Sequence, residues 1–185
     1  LLAPGLIYVE REAPFAAALA SLGGGCEVTT ADGLHDLLRA PDDAVEAACS
    51  AVGPDFVAKI LFTSGSTGLP KGVVNTQRML CANQQMLAQT LRFLDLEKPV
   101  LVDWLPWNHT FGGNHNVGLT IYNGGTLYID DGKPTPALIG ETLRNLREIA
   151  PTVYFNVPKG FEEIANAMED DTRLRDTLFS RVSMF

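Results

Sequence analysis

Residues 61–74 read LFTSGSTGLPKGVV. Hydroxyls at Thr63, Ser64, Ser66 and Thr67 alternate with glycines at 65 and 68, and Pro70, Lys71 and Gly72 follow. The run before this stretch, FVAKILFT (56–63), is rich in aromatic and aliphatic residues and reads as a strand. The β-branched VVN after it reads as the start of another. The polar segment is therefore a loop between two strands. On composition alone it is an ordinary hairpin turn, since glycine, serine and proline are the usual turn formers. Yet a plain turn has no need of so many hydroxyls. Glycines also let backbone N–H groups converge on one point, the concave arrangement that holds anions. Lys71 adds a charge of the correct sign. A ligand that uses all three features is a polyphosphate.

The familiar nucleotide loop, GxxxxGK followed by Ser or Thr, is excluded. Pro70 stands where its second glycine belongs, and Gly72 replaces the hydroxyl after the lysine. That loop also enters a helix at once, whereas this one returns to β-branched sequence. It is a different grip on phosphate.

Composition bounds the rest. At 185 residues, 46% apolar and 19% charged, the chain has enough hydrophobic material for a folded core. A net charge of −8 argues against a general nucleic-acid binder. No apolar run approaches the ~18 residues that span a bilayer. Cys26, Cys49 and Cys81 are odd in number and share no CxxC spacing, so reduced thiols in a cytoplasmic setting are expected. The chain begins at Leu1 and stops in the apolar SRVSMF, which reads as a piece of a longer protein.

Short apolar runs alternate with helical patterns along the chain. GLIYVE (5–10) and CEVTT (26–30) read as strands on either side of a helix in APFAAALASLGGG. Asp32 is the expected cap of GLHDLLRA, and residues 40–55 look like a connector with a helical turn. Thr76 is placed to cap a helix bearing Leu80, Leu87, Leu91 and Leu94 on one face. PVLVDWLP (99–106), GGTLYID (124–130) and TVYFNVP (152–158) are further strand candidates. Thr135 and Pro136 are expected to open a helix with Leu138, Ile139, Leu143, Leu146 and Ile149 on its inner stripe, and KGFEEIANAME forms another. This alternation predicts an α/β fold, a layered and largely parallel sheet flanked by helices.

A second dense segment is LPWNHTFGGNHN (105–116). Alone it reads as core aromatics with two hydrogen-bonded histidines. His109 and His115 stand six apart with no cysteine or acidic cluster at ligand spacing, so no metal site is expected.

Together the two segments resemble the adenylate-forming (AMP-binding) superfamily of acyl- and aryl-CoA ligases, luciferases and peptide-synthetase adenylation domains. Its phosphate signature, T/S-T/S-G-S/T-T-G-x-P-K-G, is matched at every position from Thr63 to Gly72. Its second motif, P-x-x-H-x-aromatic, is matched by Pro106, His109 and Phe111. The wording of the later segments is most similar to feruloyl-CoA synthetases. The resemblance implies the following roles. Thr63, Ser64, Gly65, Ser66, Thr67 and Gly68 would hold the ATP phosphates, with Lys71 countering their charge. Lys71, Thr67 and His109 would serve the reaction, and His109 and Phe111 would line the acyl pocket. ATP, Mg2+ and coenzyme A are the implied cofactors, and a hydroxycinnamate-like carboxylate the implied substrate. Lys133 meets the CoA phosphates in one reading and is a plain surface lysine in another, while Asp130 and Asp131 are given no role.

Family members are much longer than this chain. Their adenine-facing stretch, ribose-binding aspartate, hinge and small C-terminal domain have no counterpart here. Residues 1–185 are therefore expected to be a fragment of the N-terminal AMP-binding domain, inactive by itself. Two alternatives stand beside the ligase: an adenylation domain that loads a carrier protein, and a truncated module that binds phosphate and catalyses nothing.

Overall fold

A computed structural model describes residues 3–22, 25–64 and 68–185, which form two compact units, Leu1–Val52 and Gly53–Phe185. In the first unit, β1 (Leu6–Tyr8) runs parallel to β2 (Glu27–Thr29), joined through a 3-10 turn at Ala13–Phe15 and α1 (Ala16–Ser21). α2 (Ala31–Leu34) continues into a 3-10 turn at His35–Leu37. Thr30, not Asp32, takes its N-cap position, and Asp32 lies inside the first turn, where its charge still meets the helix dipole. The expected connector holds a helix of its own, α3 (Asp43–Ser50). The Asp42 carboxylate accepts from the amides of Ala44 and Val45, and such a cap suffices to start an alanine-rich helix.

The second unit opens with an antiparallel hairpin of β3 (Val57–Thr63) and β4 (Lys71–Thr76). β4 passes directly into α4 (Gln77–Thr90), whose first turn is capped as expected: Thr76 Oγ1 accepts from the Met79 amide at 3.3 Å. β5 (Val100–Asp103) then pairs in parallel with β6 (Thr126–Ile129). Between them lie a π-helical turn at Thr110–Asn116 and α5 (Val117–Tyr122). Three helices follow: α6 (Ile139–Glu148), α7 (Pro158–Met168) and α8 (Thr172–Phe179).

The core sits on both faces of β5. Leu101 packs with Leu119 and Val153, against Leu87, Phe93 and Leu94. Its neighbour Val102 points the other way, into Leu146, Ile164, Leu174 and Leu178 of the C-terminal helices and Tyr154 of the segment between α6 and α7. A strand covered on both sides is the mark of a parallel α/β layer, which is the expected class. Pairing among the described residues is in two-stranded sheets, two parallel and one antiparallel, and the antiparallel one carries the phosphate-loop sequence.

Three details differ from expectation. TVYFNVP is a buried extended segment with one parallel bridge, Val153 to Met184, and Thr152 bonds across to Val100. α6 begins at Ile139, because the Thr135 carbonyl, not its hydroxyl, accepts from the amides of Leu138 and Ile139. α8 was not anticipated. Leu174 and Leu178, one turn apart, are its buried stripe, and Asp171 caps it by accepting from the Leu174 amide at 2.9 Å.

Candidate functional site

The hairpin register brings Thr63 directly opposite Lys71. Thr63, Ser64, Gly68 and Lys71 are all exposed at this end of the hairpin, while Gly65, Ser66 and Thr67 lie outside the described residues. Gly68 has φ +82°, a left-handed backbone that favours glycine, and nothing stands within 4 Å of where a side chain would begin. Among the described residues no carboxylate pairs with Lys71, which is exposed at the start of β4. Hydroxyls, a left-handed glycine and a cation at one hairpin end form an arrangement that suits an anion.

The second motif leaves the carboxyl end of β5. His109 caps the π-helical turn: its Nδ1 accepts from the Phe111 amide at 3.2 Å, and the residue is exposed. Gly112 and Gly113 let this turn lie on the preceding backbone. A Cβ on Gly112 would stand 2.5 Å from the Pro106 carbonyl oxygen, and one on Gly113 would collide with that of Trp107. Phe111 meets His115 at 5.7 Å and Phe155 at 6.1 Å, and the last two rings lie edge to face at 4.8 Å. Sequence reasoning missed His115 and Phe155 as partners of Phe111. The signal for Phe155 was its aromatic ring within a strand-like run, but nothing local says where that run docks.

Two carboxylates terminate the parallel pair. Asp103 is 3% exposed; its Oδ1 accepts from the Leu105 amide at 3.1 Å, and Oδ2 has no partner among the described residues. Burial pushes this carboxyl above the ordinary carboxylate range, against the opposing pull of the Leu105 amide. Asp130 is also buried but fully engaged. It accepts from the Gly132 amide at 2.8 Å, Thr142 Oγ1 at 2.6 Å and Asn145 Nδ2 at 3.0 Å. Asp130 thus brackets the exit of β6 to α6. Trp104, Pro106, Asp130, Asp131 and Lys133 line an open cleft of about 490 Å³ here, and Trp104 Nε1 donates to Asn156 Oδ1 at 3.2 Å. Such clefts at the carboxyl ends of parallel strands are common ligand positions. Among the described residues no group of three or more His, Cys, Asp or Glu could hold a metal.

Cys26, Cys49 and Cys81 are free thiols. No helix of the described residues is long and apolar enough to cross a membrane.

Comparison with known proteins follows the same lines. The model of the family described as AMP-binding enzyme matches residues 8–184. The chain is 30% identical over 132 residues to the long-chain-fatty-acid–CoA ligase ACSBG2 of Xenopus laevis, covering 70% of this chain and 17% of that protein. It is 32% identical over 131 residues to the peroxisomal long chain acyl-CoA synthetase 6 of Arabidopsis thaliana, covering 69% and 18%. The match therefore spans less than a fifth of the length of these relatives. Among solved structures, a malonyl-CoA ligase in a ternary product complex with methylmalonyl-CoA and AMP aligns with a TM-score of 0.68 at 24% identity, covering 97% of this chain and 35% of that one. The loop motif, the α/β layer around β5 and the family match agree: this chain belongs to the AMP-binding enzyme family.

Proposed function

We propose that residues 1–185 are a segment of the N-terminal domain of an ATP-dependent acyl- or aryl-CoA ligase. The observation that carries this reading is the complete TSGSTGLPKG motif at the turn of the β3–β4 hairpin, with Lys71 paired in register with Thr63. Relatives named as acyl-CoA ligases support it. The large apolar residues left exposed on the hairpin and on β6, among them Phe62, Val73, Val74 and Ile129, support a longer parent chain that covers them.

In this reading Thr63, Ser64, Gly65, Ser66, Thr67 and Gly68 hold the β- and γ-phosphates of ATP. Lys71 balances the charge that grows as pyrophosphate leaves, a positioning and electrostatic task. His109 presents its imidazole near the reacting carboxylate, and Phe111 gives a wall to the acyl group. Magnesium travels with the phosphates. A hard cation that keeps most of its water needs few protein ligands. Coenzyme A accepts the acyl group in the second step. A reducing, cytoplasmic setting belongs to the same proposal and rests on the free thiols.

For the acid we favour a hydroxycinnamate such as ferulate, because Phe111, His115 and Phe155 form an aromatic wall suited to a flat ring. A long-chain fatty acid is the second reading, favoured by the names of the relatives. Incubating the full-length protein with ATP, magnesium, CoA and ferulate or a fatty acid tests the reaction. Thioester is the expected product. Pyrophosphate without thioester would assign carrier-protein loading instead, and silence with every acid would refute both.

A further inference from the structure

The two segments of the proposed site are joined by a run of amide side chains. Asn75 Nδ2 donates to the Val73 carbonyl at 3.0 Å, Asn114 Nδ2 donates to Asn75 Oδ1 at 2.9 Å, and Gln84 Nε2 donates to the Asn114 carbonyl at 2.7 Å. Each amide is oriented by one acceptor: the Val73 carbonyl takes the Asn75 N–H, Asn75 Oδ1 takes that of Asn114, and the Asn114 carbonyl takes that of Gln84. Gln84 is 5% exposed in the middle of α4. Gly118 makes room for it, since a Cβ there would overlap Gln84 Nε2.

The arrangement is not what packing for stability would select. Gln84 Oε1 and Asn114 Oδ1 are left buried with no partner among the described residues, and a bare buried acceptor is costly. Apolar side chains of similar volume would avoid that cost. A locally unfavourable polar run between two functional segments points to a gain in geometry.

We infer that Asn114, held between Asn75 and Gln84, is a positioning residue that sets the phosphate-loop hairpin against the His109–Phe111 turn. The inference rests on the ligase reading above. Asn75 lies four residues from Lys71 along β4, about 13 Å of strand, and β4 is paired with β3 up to Thr63. A shift at Asn75 is therefore carried to the loop. Asn114 belongs to the turn that His109 caps, so its amide and carbonyl lie at the junction of the two segments.

The test uses the full-length protein and two half-reactions, ATP–pyrophosphate exchange and thioester formation from supplied acyl-adenylate. Asn114→Ala and Asn75→Ala are each expected to lower the exchange kcat by about tenfold to a hundredfold, the scale of a small misplacement of reacting groups. KM for ATP and for the acid should stay within about twofold, and the second half-reaction should be unchanged. The double variant should be no slower than the slower single one, because both act through one hydrogen bond. If Asn114→Ala does not fold, Asn75→Ala at its half-buried strand position carries the same test. Losses that add, losses equal in both half-reactions, or exchange within twofold of the unsubstituted enzyme would overturn the positioning role alone. No exchange by the unsubstituted enzyme with any acid would overturn the ligase reading, and this role with it.

Discussion

Lys71 stands opposite Thr63 at the loop end of the hairpin, unpaired with any carboxylate among the described residues. Its expected task ends when pyrophosphate departs, which makes its loss selective. In the full-length enzyme, Lys71→Ala should slow acyl-adenylate formation on the order of 10²–10³, while thioester formation from supplied adenylate changes little. Equal loss in both steps would mark the lysine as structural. Asp103 is the opposite kind of residue, a carboxylate that burial holds above its ordinary value of 3.8. Below that value both folded and unfolded chains hold the proton, and Asp103 costs nothing. As pH rises the unfolded chain ionises first, so the cost grows until the folded carboxyl also ionises, and then stays constant. Asp103→Asn keeps an oxygen for the Leu105 amide and removes the titration. Its stability relative to the unsubstituted chain should therefore increase from pH 3 towards neutrality. Unfolding curves at several pH values would check this, and a difference independent of pH would refute it.

At the scale of elements, small residues decide how the site segments are held. Thr76 ends β4 and starts α4, and its hydroxyl satisfies the Met79 amide. Thr76→Ala should cost about 1 kcal/mol in denaturant unfolding. The π-helical turn depends on Gly113, where an added methyl would meet the Trp107 carbonyl oxygen. Gly113→Ala should cost about 1–3 kcal/mol. Gly140 in α6 has nothing within 4 Å of its missing Cβ, so Gly140→Ala should instead stabilise by up to about 1 kcal/mol. Equal effects at the two glycines would show that the turn is not close-packed. The antiparallel hairpin was legible from the strand-like runs on either side of a turn-forming loop. α3 was legible only as a helical turn within residues 40–55, and α8 not at all, because their sequences are small and polar, or short and charged. Only the caps at Asp42 and Asp171 reveal them.

For the whole molecule, the proposed ligase reading makes a prediction about the acid. An aromatic wall rewards a flat ring by about 0.5–1.5 kcal/mol per contact beyond area burial, roughly up to tenfold in specificity. Ferulate and 4-coumarate should therefore exceed octanoate in kcat/KM with the full-length enzyme. A preference for octanoate would favour the fatty-acid reading suggested by the relatives' names and leave the broader ligase proposal standing.

What the amino-acid order determined by itself was local. A loop of hydroxyls, glycines and one lysine between two strand-forming runs, a threonine cap at 76 and alternating strands and helices each depend on chemistry within a few neighbouring residues. They were enough to reveal the family and the α/β class. Tertiary structure alone decided the rest. It joined Phe111 and His115 to Phe155, bracketed Asp130 to α6, and aligned Asn75, Asn114 and Gln84. The Asn75–Asn114 and Trp104–Asn156 bonds bridge 39 and 52 positions of chain. Contacts at that separation follow from how helices pack on the two faces of β5, and no local pattern of side chains specifies that packing.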